Sequence, residues 1–217
     1  MEEIIRNIAI YALPVLFAIT LHEAAHAYAA RYFGDSTAFV AGRMSLNPIR
    51  HIDPIGTIAL PLGLYIFTGF AFGYAKPVPI DFNALKSPKR DMAWVALAGP
   101  LANLIMALMF TIFSVIISAM GVTEPYPHAV AQAGVMVNLL FFAFNLLPIL
   151  PLDGGRVVTS MLPNRLAYKF AAIERYGMLI VFALLFLKVL HYWVMPVAAV
   201  ANGLLKILVT PLLLLLS

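Results

Sequence analysis

The stretch Phe17 to Gly34, FAITLHEAAHAYAARYFG, decides how the rest of the chain is read. It sets His22, Glu23 and His26 inside an apolar run, with IAIYALPVLFAIT before them and AYAA after. An ionisable group at the centre of a bilayer costs about 3 kcal/mol even on lenient scales, so three in succession call for partners. The question is what those partners are.

The 217 residues are 63% hydrophobic and 11% charged, and the mean hydropathy is +0.94. Such values lie far outside the range of a water-soluble domain and imply an integral membrane protein. Apolar segments run from Ile4 to Leu216 with no polar linker of domain size, so residues 1–217 read as one membrane-embedded domain. Its core is expected over about 4–162, with accessory helices over about 163–217. The opening MEEIIRNIAIYALP is acidic where a secretory signal would be basic, so the first helix is expected to stay. Without cysteine, any metal must be held by His and carboxylate ligands. A net charge of +4 suits loops facing anionic headgroups, and no aromatic-interleaved basic stretch argues for nucleic acid.

His22-Glu23-Ala24-Ala25-His26 is an HExxH pattern. On a helix, residues four apart share a face, so both imidazoles reach one tetrahedral Zn²⁺ while the intervening Glu, about 100° round, meets a water there. A catalytic zinc takes a third protein ligand. Of the ten acidic residues only Glu23 and Asp153 are embedded in apolar runs, and Asp153 sits where Pro148, Pro151, Gly154 and Gly155 break a helix. Asp153 is therefore the candidate third ligand, with a helix cap as its structural alternative. A zinc protease with Glu174 as third ligand is a rival, although AAIERYGM lacks acidic company. A non-catalytic zinc carrier is another rival, but it would have no use for Glu23.

The pattern predicts an all-α membrane protein of about five spanning helices: 4–33, 91–120, 128–147, 166–190 and 195–216. Ser87 is expected to cap the second and Pro88 to occupy its first position. Between the first two helices, TAFVAGRMSLNP predicts one or two short β-strands. Ile55 to Phe72, interrupted by Gly56, Pro61, Gly63 and Gly69, predicts a re-entrant hairpin.

HExxH in one helix, AGPLAN opening another, and NLLPILPLDGG (Asn145 to Gly155) ending a third together resemble the site-2 proteases, the intramembrane zinc metalloproteases. The resemblance spans about Phe17 to Leu162, in the family's motif order, and fits a prokaryotic subgroup without an inserted PDZ domain. It implies one Zn²⁺ held by His22, His26 and Asp153, Glu23 as catalytic base, and Asn145 positioning substrate or steadying the oxyanion. The implied substrates are single-span membrane proteins. Asn103 either assists the site or joins helices through a polar contact. His51 reads as a loop residue, with gating or lining the site as the alternative.

A shared metal also constrains topology. His22, His26 and Asp153 must lie at one depth, so the helices ending at about 33 and 147 must run in the same direction and the one between them opposite. With a re-entrant 55–72 segment, Arg31, Arg43, Arg50, Lys76, Lys86, Lys89, Arg90, Arg156, Arg165, Lys169 and Arg175 share one side, leaving Arg6 and Lys188 opposite. The positive-inside rule then places the N-terminus outside, in a multi-pass protein of the plasma membrane whose active site lies nearer the cytoplasm.

Overall fold

The computed structural model describes residues 2–59, 63, 73 and 75–216. Among them the regular structure is helical. Helix α1 is Glu2–Phe33, with acidic Glu2 and Glu3 in the first turn and Arg31 in the last, the arrangement that complements the helix dipole. Gly34, at φ 115°, ends it. A single turn, α2 (Thr37–Val40), follows. The long helix α3 is Pro88–Ala119, and α4 is Pro125–Asn145. Two short helices, α5 (Asp153–Met161) and α6 (Asn164–Ala171), lead into α7 (Gly177–Phe186) and the long α8 (His191–Leu216). By length and composition, four of the described helices can cross a membrane: α1, α3, α4 and α8.

Helices α1, α3 and α4 form the centre. Along α1, Ala18, Ala24, Ala27 and Ala30 are buried. Small side chains let helix backbones approach closely, which is how helices associate where lipid removes the hydrophobic drive. Along α4, Gly134 lies under the Phe110 ring, with no room for a Cβ. The outer helix α8 packs Ala201 and Leu205 against Ala107 and Leu139. The polarity of this bundle is inverted. His22, His26, Asn103 and Asn138 are buried, whereas Ile105, Met109, Ile207 and Leu208 are more than half exposed. That is the pattern of a surface facing lipid.

Contacts set the helix directions. Asn103 of α3 touches Ala18 of α1 and Asn138 of α4, and Tyr126 Oη at the start of α4 donates to Ala9 O near the start of α1. Thus α1 and α4 run the same way and α3 runs opposite, as a shared metal requires. Trp193 Nε1 donates to Ala143 O, so α8 begins beside the end of α4 and runs antiparallel to it.

Four expectations change. No strand forms over 37–48. The Asp35 carboxylate accepts both the N–H and the hydroxyl of Thr37, starting a helical turn, and Arg43 N–H closes back on Ala38 O. Local capping of this kind outweighs the β preference of the flanking residues. Nor is 166–190 one helix. It divides into α6, a 3₁₀ turn at Glu174–Tyr176, and α7, whose ten residues reach about 15 Å, half the hydrocarbon thickness. Gly177 there meets Leu150 O so closely that only glycine fits, and Lys188 turns the chain at φ 58°. Because α8 starts at the metal end, Lys188 lies at that end too, not opposite. Finally, Pro88 is the first residue of α3 as expected, but Ser87 caps through its backbone: its N–H donates to Asp91 Oδ2 at 2.7 Å, and its side chain makes no cap bond. The re-entrant hairpin over 55–72 lies largely outside the described residues; its start, Pro54–Ala59, is a π-helical turn.

Candidate metal centre

The His22 and His26 rings project from one face of α1, both buried, with their Nε2 atoms 3.1 Å apart. Each ring is anchored through its other nitrogen by α3. His22 Nδ1 pairs with Asn103 Oδ1 at 2.7 Å, and His26 Nδ1 pairs with Val95 O at 2.7 Å. Both partners are acceptors, since Asn103 uses its Nδ2 to donate to Ala18 O and to Asn138 Oδ1. The protons of the neutral rings therefore sit on Nδ1, and both Nε2 atoms carry lone pairs.

Those lone pairs face each other and a carboxylate. Asp153 Oδ2 is 3.3 Å from His22 Nε2, and Asp153 Oδ1 is 3.3 Å from His26 Nε2. The buried Oδ2 has no hydrogen-bond partner. One ligand atom from each residue lies within 4.8 Å of the others, the arrangement a bound metal needs. Two neutral imidazole lone pairs and a carboxylate converging in this way repel one another unless a cation, a proton or a metal ion, joins them. Two neutral imidazoles and one carboxylate, with both imidazole N–H groups already satisfied, match the donor set and outer hydrogen bonding of a catalytic zinc site.

Close approach brings the three elements together. A Cβ on Gly99 would overlap His26 Nε2 and His22 Cε1, so glycine alone lets α3 lie against both rings. Pro100, next along, lacks the N–H that would bond Ala96 O, which relaxes the helix ladder beside Val95. After α4 ends, residues 146–152 fold back tightly, with Ile149 N–H on Leu147 O and Leu152 N–H on Ile149 O. Side chains at Gly154 or Gly155 would strike the backbone of that turn. Asp153 opens α5, yet its carboxylate points to the histidines rather than capping the helix.

Glu23 stands outside the ligand group. Its Oε2 accepts the backbone N–H of Val78 at 2.8 Å. Asn103 is fully buried and acts directly on His22. Asn145 turns away: its Nδ2 donates to Phe141 O, one turn back along α4. His51 is buried in the loop after α2, where its Nε2 bonds Ser45 O and its own carbonyl accepts Lys76 N–H. It is not one of the grouped ligands. Glu174 is paired with Arg156, which removes it as a rival ligand.

Sequence reading did not single out Asn138, Gly99, Val95 O or Val78 N–H. The AGPLAN motif carried a signal for Gly99. An asparagine buried in an apolar helix was the available signal for Asn138. Val95 O carries no signal in the sequence, and for Val78 the flanking Pro77 and Pro79 mark only which residue keeps an N–H.

The model of Peptidase family M50 matches residues 126–188, from the start of α4 through the Asp153 turn. The chain is 37% identical over 188 residues to the candidate zinc metalloprotease YwhC of Bacillus subtilis, covering 84% of this chain and 82% of that protein. It is 29% identical over 185 residues to the candidate zinc metalloprotease Rip2 of Mycolicibacterium smegmatis, covering 82% of this chain and 67% of that protein. It is 24% identical over 160 residues to the zinc metalloprotease MJ0392 of Methanocaldococcus jannaschii, covering 74% of this chain but 36% of that protein. No solved structure gives a significant match. With a relative of this identity matched over most of both chains, and in line with its site-2 protease motifs, the chain belongs to peptidase family M50.

Proposed function

We propose that this chain is an intramembrane zinc endopeptidase that hydrolyses peptide bonds within or near the membrane segments of single-span proteins. The observation that carries this reading is the convergence of His22 Nε2, His26 Nε2 and the Asp153 carboxylate, with both imidazole tautomers set by α3. One zinc ion held there supplies a Lewis acid that polarises a carbonyl and acidifies water.

The chain's own groups do the rest. Glu23, adjacent to His22 on α1, takes the proton from the attacking water and returns it to the leaving amine. Asn145, at the end of α4 where the Asp153 turn begins, exchanges its bond to Phe141 O for one to the developing oxyanion. A substrate helix shields its carbonyls with its own hydrogen bonds, so the segment to be cut must enter extended. The buried, polar end of the bundle keeps lipid from the reacting groups, and water reaches it from the near face.

The side of the membrane follows from charge. Arg31 ends α1, Lys89 and Arg90 begin α3, Arg156 lies on α5, and Arg165 and Lys169 lie on α6, all at the metal end. The positive-inside rule supports placing this end at the cytoplasmic face of the plasma membrane. With α1, α3, α4 and α8 crossing, both termini lie outside.

The test is cleavage of a panel of single-span substrates by the purified protein in vesicles, with and without chelator. Glu23→Gln is expected to keep its zinc and lose cleavage. Undiminished cleavage by that variant would sink the mechanism.

A further inference from the structure

The two histidines are held by helix α3, but Glu23 takes its partner from elsewhere. Its Oε2 accepts the N–H of Val78, 55 residues away, in a segment over 75–81 without regular secondary structure. The sequence there is Lys76-Pro77-Val78-Pro79-Ile80-Asp81. Prolines on both sides make Val78 the one residue of 77–79 with an amide proton to give. They also hold the residues before them, Lys76 and Val78, in extended conformations.

The segment is tied at both ends. Lys76 N–H donates to His51 O at 3.0 Å, and Arg43 Nη2 donates to Lys76 O at 2.8 Å. At the far end Asp81 N–H donates to Asp35 Oδ2 at 2.9 Å, and Asp35 is itself held by Thr37. Between these anchors the buried Val78 side chain packs with Ala27 and Ala38, beside the ligand His26. Among the described residues, these anchoring and packing partners lie on α1, on α2 and in the segments on either side of α2.

We propose that the Val78 backbone N–H is a positioning group for the catalytic base, holding the Glu23 carboxylate in one rotamer beside the metal ligands. The proposal rests on the reading of Glu23 as general base. A base on a flexible side chain works only when it is within hydrogen-bond reach of the proton it removes, and a rigid donor on a proline-bounded strap provides that placement without a second side chain. The strap's motif thus acts through its backbone, and its prolines serve to deliver one amide.

The experiment compares three forms of the full chain, zinc-loaded in vesicles with a single-span substrate. Val78→Pro removes the N–H in an already extended segment. Replacing Val78 by its α-hydroxy acid through nonsense suppression removes the same N–H and keeps the side chain. Val78→Ala keeps the N–H and loses the packing. The two forms without the N–H are expected to lose kcat by about tenfold or more with KM and zinc content unchanged. Val78→Ala, which keeps the N–H, is expected to lose less kcat than either form without it. In the infrared, the carboxylate band identified by subtracting the Glu23→Gln spectrum should shift in the two forms without the N–H and not in Val78→Ala. Equal kcat in all three forms, an unshifted band, or a loss that follows zinc content or KM overturns the proposal. Full cleavage by Glu23→Gln overturns the underlying reading instead, so the two failures are distinct.

Discussion

His22 Nδ1 lies 2.7 Å from Asn103 Oδ1, and Asn103 is oriented in turn by Asn138 at 3.1 Å. Three helices therefore meet in one chain of hydrogen bonds that ends on a proposed metal ligand. Removing the acceptor with Asn103→Leu frees the ring and its tautomer and should weaken zinc binding by about 10- to 100-fold. Asn138→Ala should act in the same direction and less strongly, since it disturbs the Asn103 amide rather than the ring. Competition titration against a chelating dye measures both. Unchanged affinity in the pair would mean that the network serves helix packing alone.

Two glycines seat the proposed ligands. A methyl group at Gly99 would overlap both histidine rings, and one at Gly177 would strike Leu150 O in the turn before Asp153. Gly99→Ala should therefore lose zinc and about 1–3 kcal/mol of stability through overpacking. Gly177→Ala, 24 residues beyond Asp153, should lower zinc affinity by displacing that turn. Wild-type metal content in Gly99→Ala would show that α3 does not lie on the rings.

Asp35 gives the fold beside the membrane a dependence on pH. Burial pushes its carboxyl up, but the Thr37 hydroxyl and amide and the Asp81 amide outweigh that and hold it below its ordinary value of 3.8. A lowered folded value means that the ionised form is stabilised in the native state. This contribution is complete above the unfolded value and disappears as pH falls through the folded one. Asp35→Asn should thus unfold more easily than wild type at neutral pH, by about 1–3 kcal/mol, through loss of charge-assisted bonds. Thermal unfolding in detergent should show that gap constant down to about pH 5 and closing below about pH 4. A gap that widens in acid would contradict this account.

The start of α8 beside the end of α4 fixes where Lys188 emerges. The chain has no cysteine, so single cysteines report accessibility without background. Cysteines placed at Arg43, Lys86 and Lys188 should label from one face of the membrane, and one at Arg6 from the other. Labelling of the 188 position together with the 6 position would restore a complete crossing between 166 and 190.

Much of the site was legible because its logic is local. The i, i+4 spacing of His22 and His26, and the cost of burying Glu23 and Asp153 in apolar surroundings, are properties of single segments. A shared metal then dictated that α1 and α4 run the same way, which the contacts of Asn103 and Tyr126 bear out. Hydropathy failed over 166–190 for an equally physical reason. It averages side-chain character and does not register a backbone approach between Gly177 and Leu150 that leaves no room for a side chain, or an ion pair between Arg156 and Glu174.

By itself the sequence determined that this is a membrane protein, which residues are equipped to hold a metal, and the relative direction of two helices. Only the tertiary structure decided the partners: Asn103 for His22 across 81 positions, Val95 O for His26 across 69, and Val78 N–H for Glu23 across 55. A hydrogen bond exists where packing brings donor to acceptor, and two of these partners are backbone groups: a carbonyl, which every residue type supplies, and an N–H, which every type except proline supplies. Their identity is a matter of place, which no single segment encodes.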